Sequence, residues 1–308
     1  MKTLVVVNPR SGGGRTGRSW VDVSRRIEAV LGPFEAHITA HAGEATEVVR
    51  AALSAGTERI VAVGGDGTNH EVVNGFFTAS ALQPLAADAV FAFLPSGTGG
   101  DFGRSFDLPA DLDARLARIA ASPAARIDAI ACRWQGAEPG IEVSINIASA
   151  GQGGLVCARV DASPKWLGGG LPFLVAGMRT LVDLKPWPVH IALDDEAPRF
   201  VRAINILAGN GRYQGGGMHM LPEARLDDGL IDVLVVPEMS AARQVQMALY
   251  SHQGRMLELP GVWSARAKRL EVTPAAEAEP MPLEMDGEAR GTAPVVFEVL
   301  PAALRLAV

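Results

Sequence analysis

Short apolar runs alternate with amphipathic stretches through the first 125 residues. Leu4–Val7, Ile60–Val63 and Val90–Leu94 are continuously apolar, as expected of strands buried on both faces. Residues 18–31 place Val21, Val23, Ile27, Val30 and Leu31 at roughly helical spacing. The pattern predicts further helices over 44–55, 69–79 and 111–121, the last stopped by Pro123, and a short strand over 35–39. Ser11–Arg15 reads as a loop. Strand–helix alternation of this kind predicts a mainly parallel, doubly wound α/β sheet with helices on both faces. Ligands of such sheets bind beyond the carboxyl ends of the strands.

The texture changes after residue 126. Apolar runs at 127–134, 141–148, 189–193, 200–207, 231–236, 270–273 and 295–299 are separated by Gly, Pro and Asp turns and read as strands. Only 170–184 and 240–250 read as helices there. The chain is therefore expected to form an α/β domain over 1–125 and a β-rich domain over 126–308, with the last strand free to return to the first domain.

Composition narrows the class. Hydrophobic residues make up 48% and charged residues 20%, which fits a well-cored globular chain. The net charge of −6 argues against a nucleic-acid partner and against adhesion to anionic membrane by charge alone. Cys132 and Cys157 lie in apolar stretches with no metal spacing, as buried free thiols of a reducing compartment would. No apolar run reaches the roughly 18–20 residues that span a bilayer, so a cytoplasmic protein is expected.

Three glycine loops carry the candidate chemistry. Asn8-Pro9-Arg10-Ser11-Gly12, Gly64-Gly65-Asp66-Gly67-Thr68 and Pro95-Ser96-Gly97-Thr98-Gly99-Gly100-Asp101 each directly follow a predicted strand. Glycine lets a ligand approach the backbone, and free N–H groups at a helix start attract phosphate. Three such loops in one α/β half point to a nucleotide. A P-loop is excluded by the absence of Gly-x-x-x-x-Gly-Lys-Ser/Thr.

The string Gly64-Gly65-Asp66-Gly67-Thr68-Asn69-His70-Glu71-Val72-Val73-Asn74-Gly75 resembles the signature of the diacylglycerol kinase catalytic domain, whose superfamily includes sphingosine kinases and bacterial soluble lipid kinases. The resemblance continues, in order, through residues 8–12, 94–102, 209–218, 222–232 and Asp286-Gly287-Glu288. It implies an N-terminal domain like those of NAD kinases and diacylglycerol kinases, a C-terminal β-sandwich, and an active site in the cleft between them. It also implies ATP and magnesium as cofactors and a diacylglycerol-like or sphingoid-like lipid as acceptor. The alternatives are a NAD kinase, and a catalytically silent lipid- or nucleotide-binding protein.

Site residues follow position by position from the same resemblance. Nucleotide contacts fall on Asn8, Ser11, Gly12, Thr39, Gly64, Gly65, Asp66, Gly67, Thr68, Asn69, His70, Glu71 and Thr98. Asp66 would also organise phosphate and magnesium. Asp228, with the carbonyls of Arg225 and Leu230, would hold a structural magnesium; a plain turn is the other reading of Asp227-Asp228-Gly229. Glu288 would be the general base for the lipid hydroxyl, although Asp286-Gly287 is also a plain hairpin signal. Two positions depart from the family pattern: Gly100 and His70 each stand where asparagine is usual. The apolar segment 166–178 reads either as packing over the sheet or as a lid or membrane-dipping surface. Peripheral contact with the inner membrane face and a homodimer are both compatible with the sequence.

Overall fold

The structure is a computed structural model that describes residues 1–96, 100–121, 123–136, 138–161 and 186–308. The chain divides into two compact units, Met1–Asp128 with Ala302–Val308, and Ala129–Pro301.

In the first unit, β1 (Thr3–Val7), β2 (Glu35–Ile38), β3 (Arg59–Gly64) and β4 (Val90–Pro95) form a parallel sheet in the order β4–β3–β1–β2. The end of the last strand, Arg305–Ala307, adds in parallel beside β4. Helices α1 (Ser11–Leu31), α2 (Glu44–Ser54), α3 (Asp66–Asn74), α4 (Asp101–Arg104) and α5 (Leu112–Ala121) connect the strands. Val5, Val7, Val61, Val63, Ala92 and Leu94 face Ile27 of α1 and Leu116 and Ile119 of α5 in one core. Strands β1 and β3 are buried along their whole length because both faces are covered, whereas the edge strand β2 is largely exposed.

The second unit is a β-sandwich. Strands β5 (Ala125–Trp134) and β6 (Gly140–Ser144) pair with each other, and β5 also pairs with β17 (Val295–Ala307). β17 pairs with β14 (Arg269–Pro274), which pairs with β8 (Trp187–Leu193). The other layer holds β7 (Ile147–Gly151), β12 (Ile231–Pro237), β13 (Trp263–Ala267), β15 (Pro282–Met285) and β16 (Glu288–Thr292). The 11-residue β9 (Arg199–Gly209) belongs to both. Its first half pairs with β8, and its second half lies between β7 and β12. A strand that changes layers is the usual way to turn a sandwich corner. Val189, Ile191, Ile206, Val233, Leu270, Leu283, Met285, Val295 and Phe297 fill the space between the layers. Helix α7 (Ala241–Gln253) lays Met247 over the outer face, on Leu207, Leu234 and Val236. A small hairpin joins β10 (Tyr213–Gln214) to β11 (Met218–His219). Helix α6 (Gln152–Asp161) follows β7.

Several sequence-based expectations are revised. The run 141–148 is two strands, because the chain turns a corner at Ile145-Asn146. The helix expected over 69–79 starts at Asp66 and ends at Asn74. Its last turn stops at Gly75, where a Cβ would lie 2.5 Å from the Val49 Cβ atom of α2. Residues 12–14, read as loop, form a left-handed glycine turn at the head of α1, with φ of 60°, 66° and 79°. The strand expected over 295–299 continues to Ala307. Cys132 and Cys157 are buried and not joined in a disulfide, and burial pushes the Cys132 thiol well up, with Asp286 and Glu142 adding to the effect. The helix expected over 170–184, the segment 166–178 and Thr98 lie outside the described residues. Among the described residues, no helix is long and apolar enough to cross a membrane.

Candidate active site

The carboxyl ends of β1, β3 and β4 are joined by backbone. The Asn8 N–H donates to the Val63 carbonyl at 3.0 Å and the Ser96 N–H to the Gly64 carbonyl at 2.8 Å. Asn8 Nδ2 donates to Thr68 Oγ1 at 3.2 Å, while the Arg10 N–H donates to Asn8 Oδ1 at 3.0 Å. Asn8 thereby fastens the first loop to the second. The Asp101 N–H donates to Asp66 Oδ2 at 3.0 Å and fastens the third loop to the second. Thr16 Oγ1 and Ser96 Oγ, 2.6 Å apart, join the first and third. The first two loops predicted from sequence and the described ends of the third, Ser96 and Asp101, thus meet on one edge of the first unit.

Two glycines there are required by contact. A Cβ at Gly64 would lie 2.3 Å from Thr68 Oγ1 and 2.5 Å from Thr68 Cβ, so only glycine lets the Thr68 side chain fold back over β3. A Cβ at Gly12 would lie 2.7 Å from the Ser96 carbonyl oxygen. At Gly65, the residue before α3, no atom of the described residues lies within 4 Å of the Cβ position, so they leave the start of the helix open on that side. Asp66 sits in the first turn of α3, where a negative charge complements the helix dipole.

The remaining predicted nucleotide residues divide by orientation. Thr68, Asn69 and His70 are buried, and Asn74 Nδ2 donates to the His70 carbonyl at 2.9 Å. Glu71 turns its carboxylate to the Ala45 N–H at the start of α2, 3.3 Å away. Thr39 is anchored to β1, its N–H and Oγ1 both donating to the Val7 carbonyl, at 2.9 and 3.3 Å. Ser11 accepts from Thr16 Oγ1 through its carbonyl. Gly100 has a φ of 61° ahead of α4. Asparagine is the commonest non-glycine residue in that left-handed region, so the exchange keeps the backbone turn.

Sequence reasoning missed Glu44. Its carboxylate accepts from the Ala40 N–H at 2.6 Å, the His41 N–H at 3.3 Å and His37 Nε2 at 2.9 Å, which braces the loop after Thr39. The Ala40 amide first, and then His37, hold the Glu44 carboxyl down at about 2. The available signal was an acidic residue immediately after Gly43 at a helix start.

In the second unit, Asp286 and Gly287 form the two-residue turn between β15 and β16, with φ of 51° and 90°. Positive φ at both positions is the type I′ geometry that Asp-Gly favours. Glu288 is half-buried at the first position of β16, paired across the turn with Met285. Asp286 does more than turn the chain. Its buried carboxylate accepts from Ser144 Oγ at 2.6 Å, the Asn146 N–H at 2.9 Å and the Ile145 N–H at 3.2 Å. It therefore stabilises the corner that separates β6 from β7. Asn146 Nδ2 donates in turn to the Tyr213 carbonyl at 2.8 Å, and the Tyr213 ring stacks on His219 at 4.4 Å.

The turn expected to hold magnesium is arranged differently. Asp228 Oδ1 accepts from the Leu230 N–H at 3.2 Å, and Oδ2 pairs with the Arg266 guanidinium. Arg225 pairs with Asp227 at 3.5 Å. Both Asp228 oxygens are engaged, and the neighbouring cation is Arg266. A magnesium ion held there by Asp228 and the carbonyls of Arg225 and Leu230 would share the carboxylate with Arg266. Among the described residues no group of three His, Cys, Asp or Glu side chains is placed to hold a metal. Asp232, buried nearby, is pushed up to about 6, chiefly by burial and then by Glu223.

Two family models match the two parts of the chain. Residues 2–132 match the diacylglycerol kinase catalytic domain, and residues 146–308 match the YegS C-terminal NAD kinase beta sandwich-like domain. The chain is similar to a "Probable lipid kinase YegS-like" of Xanthomonas campestris, 31% identical, covering 98% of this chain and 94% of that one. It is also similar to a protein of the same description from Pseudomonas aeruginosa, 33% identical, covering 99% and 93%. Among solved structures, a diacylglycerol kinase from Bacillus anthracis shares the fold with a TM-score of 0.72 at 20% identity, covering 99% of this chain and 96% of that one. The chain belongs to the YegS-like lipid kinases, in which a diacylglycerol kinase catalytic domain precedes a β-sandwich-like domain.

Proposed function

We propose that this lipid kinase transfers the γ-phosphate of ATP to the hydroxyl of a diacylglycerol-like or sphingoid-like lipid. The observation that carries the reading is the joined edge of β1, β3 and β4. Its open start of α3 at Gly65 and its Asp66–Asp101 link offer backbone N–H groups for phosphate and carboxylates beside them. Asn8, Ser11, Gly12, Thr39 and the Gly64–Thr68 loop line the nucleotide on this reading, and Asn69, His70 and Glu71 shape α3 behind them. Magnesium arriving with the triphosphate would neutralise charge on its oxygens. No step is assigned to the Arg225–Leu230 turn.

Glu288 accepts the proton of the lipid hydroxyl as that oxygen attacks phosphorus. A carboxylate suits this task if it is held at hydrogen-bond distance from the hydroxyl. Transfer is direct, and most of the acceleration comes from positioning and from charge stabilisation at the γ-phosphate. The test is transfer from γ-labelled ATP with magnesium to a panel of dispersed lipids and to NAD. Label in an organic-extractable phospholipid is the expected result. Label in NADP overturns the reading in favour of a NAD kinase, and ATP binding without transfer overturns it in favour of a silent binding protein.

A further inference from the structure

We propose that Glu284 is a positioning residue for the transfer, one that fixes the turn presenting Glu288 and is itself fixed by Gln214 and Ser149. The proposal rests on the reading of Glu288 as the base. Glu284 is fully buried on β15. Its Oε1 accepts from the Gly287 N–H at 2.8 Å, in the peptide group that joins Asp286 to Gly287 within the turn. Its Oε2 accepts from Ser149 Oγ and from Gln214 Nε2, both at 2.6 Å. One carboxylate therefore joins β7, the β10–β11 hairpin and the catalytic turn, with partners 135 and 70 residues away in sequence.

A hairpin does not need this. Asp-Gly alone specifies a two-residue type I′ turn. A buried carboxylate is costly unless its oxygens are well supplied with donors. Placing a fully buried carboxylate under this turn, with short donors on both oxygens, is more than chain reversal requires. Its effect is to remove freedom from Gly287, a residue at φ +90° with no atom of the described residues within 4 Å of its Cβ position. The orientation of Glu288 follows from that of Gly287. Asp286 anchors the same turn from the other side, at the Ser144–Asn146 corner. Through Gln214 on one side and Asn146 on Tyr213 on the other, the β10–β11 hairpin is latched to the turn at two points.

The test uses Glu284→Gln, the double variant Gln214→Glu/Glu284→Gln, and Glu288→Gln. Glu284→Gln keeps the side-chain volume but leaves one acceptor oxygen for donors on both sides, so that its NH₂ meets either Gln214 Nε2 or the Gly287 N–H. The double variant restores a donor–acceptor pair with reversed polarity. On folded protein, Glu284→Gln is expected to lower kcat by on the order of 100-fold while leaving KM for ATP unchanged, as a displaced reacting group does. The double variant should recover most of that kcat. Unchanged kcat in Glu284→Gln overturns the proposal, as does a double variant that regains the unfolding temperature but not kcat. Full activity in Glu288→Gln removes the base, and the positioning role with it. An inactive Glu288→Gln beside a fully active Glu284→Gln overturns the positioning role alone.

Discussion

The edge at Gly64–Thr68 and the turn at Glu284–Glu288 solve the same problem with opposite materials. The first is held by backbone together with the short polar side chains of Asn8, Thr16 and Asp66. Carbonyls of one strand accept N–H groups leaving the next, and Gly12 and Gly64 are required because neighbouring atoms occupy the space of a Cβ. The second is held by two buried carboxylates, Glu284 and Asp286, which gather donors from β6, β7 and the β10–β11 hairpin. A backbone cradle suits an anion that many N–H groups share. A carboxylate frame suits a single acid–base group that must point one way.

The difference can be broken from either side. The largest effect is expected at Asp286→Ala. Ser144 Oγ and the N–H groups of Ile145 and Asn146 would lose a buried acceptor, at roughly 1–3 kcal/mol for each group left unpaired. Urea unfolding should show a loss of several kcal/mol, together with lost transfer. A midpoint like that of the native protein would mean that the frame is not carried by this carboxylate.

Gly64→Ala comes next. The added methyl must push Thr68 off β3, an overpacking change of about 1–3 kcal/mol. Because Thr68 also accepts from Asn8, ATP titration should show weaker binding alongside the lower unfolding midpoint. Native ATP affinity would show that the contact at Gly64 does not shape the cradle.

The smallest effect concerns Glu44, which sharpens the comparison because a carboxylate braces a backbone loop there. Its folded-state value of about 2 lies below the ordinary 4.5, so the folded protein binds fewer protons in that interval. The contribution is complete above about 5 and is lost as pH falls toward about 2. Glu44→Gln should therefore melt below the native protein at neutral pH, and the gap should close through that acidic window. A gap independent of pH would refute the assignment.

The same contrast explains what the sequence made legible. The parallel strands of the first unit and its glycine loops could be read because backbone requirements appear locally, as apolar runs ending in glycine. Helix α6 could not. Gly153 and Gly154 lower its propensity, yet a Cβ at Gly153 would lie 2.2 Å from Ser149 Oγ and one at Gly154 2.6 Å from the Pro282 carbonyl. Those glycines serve packing against β7 and β15, elements that are distant in sequence or separately misread. The corner at Ile145-Asn146 is apolar through its neighbours and was read as strand; its cause is the Asp286 carboxylate, 140 residues later. The resemblance that located Glu288 gave no sign of Glu284, whose partners converge only in three dimensions. At Asp228 the expected metal ligand has an arginine partner from β13, 38 residues on, which no local motif encodes.

The central claim is that nucleotide binding resides in the backbone edge while proton chemistry resides in Glu288. Its most direct test measures both on one variant, Glu288→Gln, by ATP titration and by transfer of γ-label into organic-extractable lipid. The account predicts ATP affinity equal to that of the native protein and transfer reduced by about 100- to 10,000-fold, the range for a lost general base. Transfer at the native rate, or loss of ATP binding in step with transfer, would contradict it.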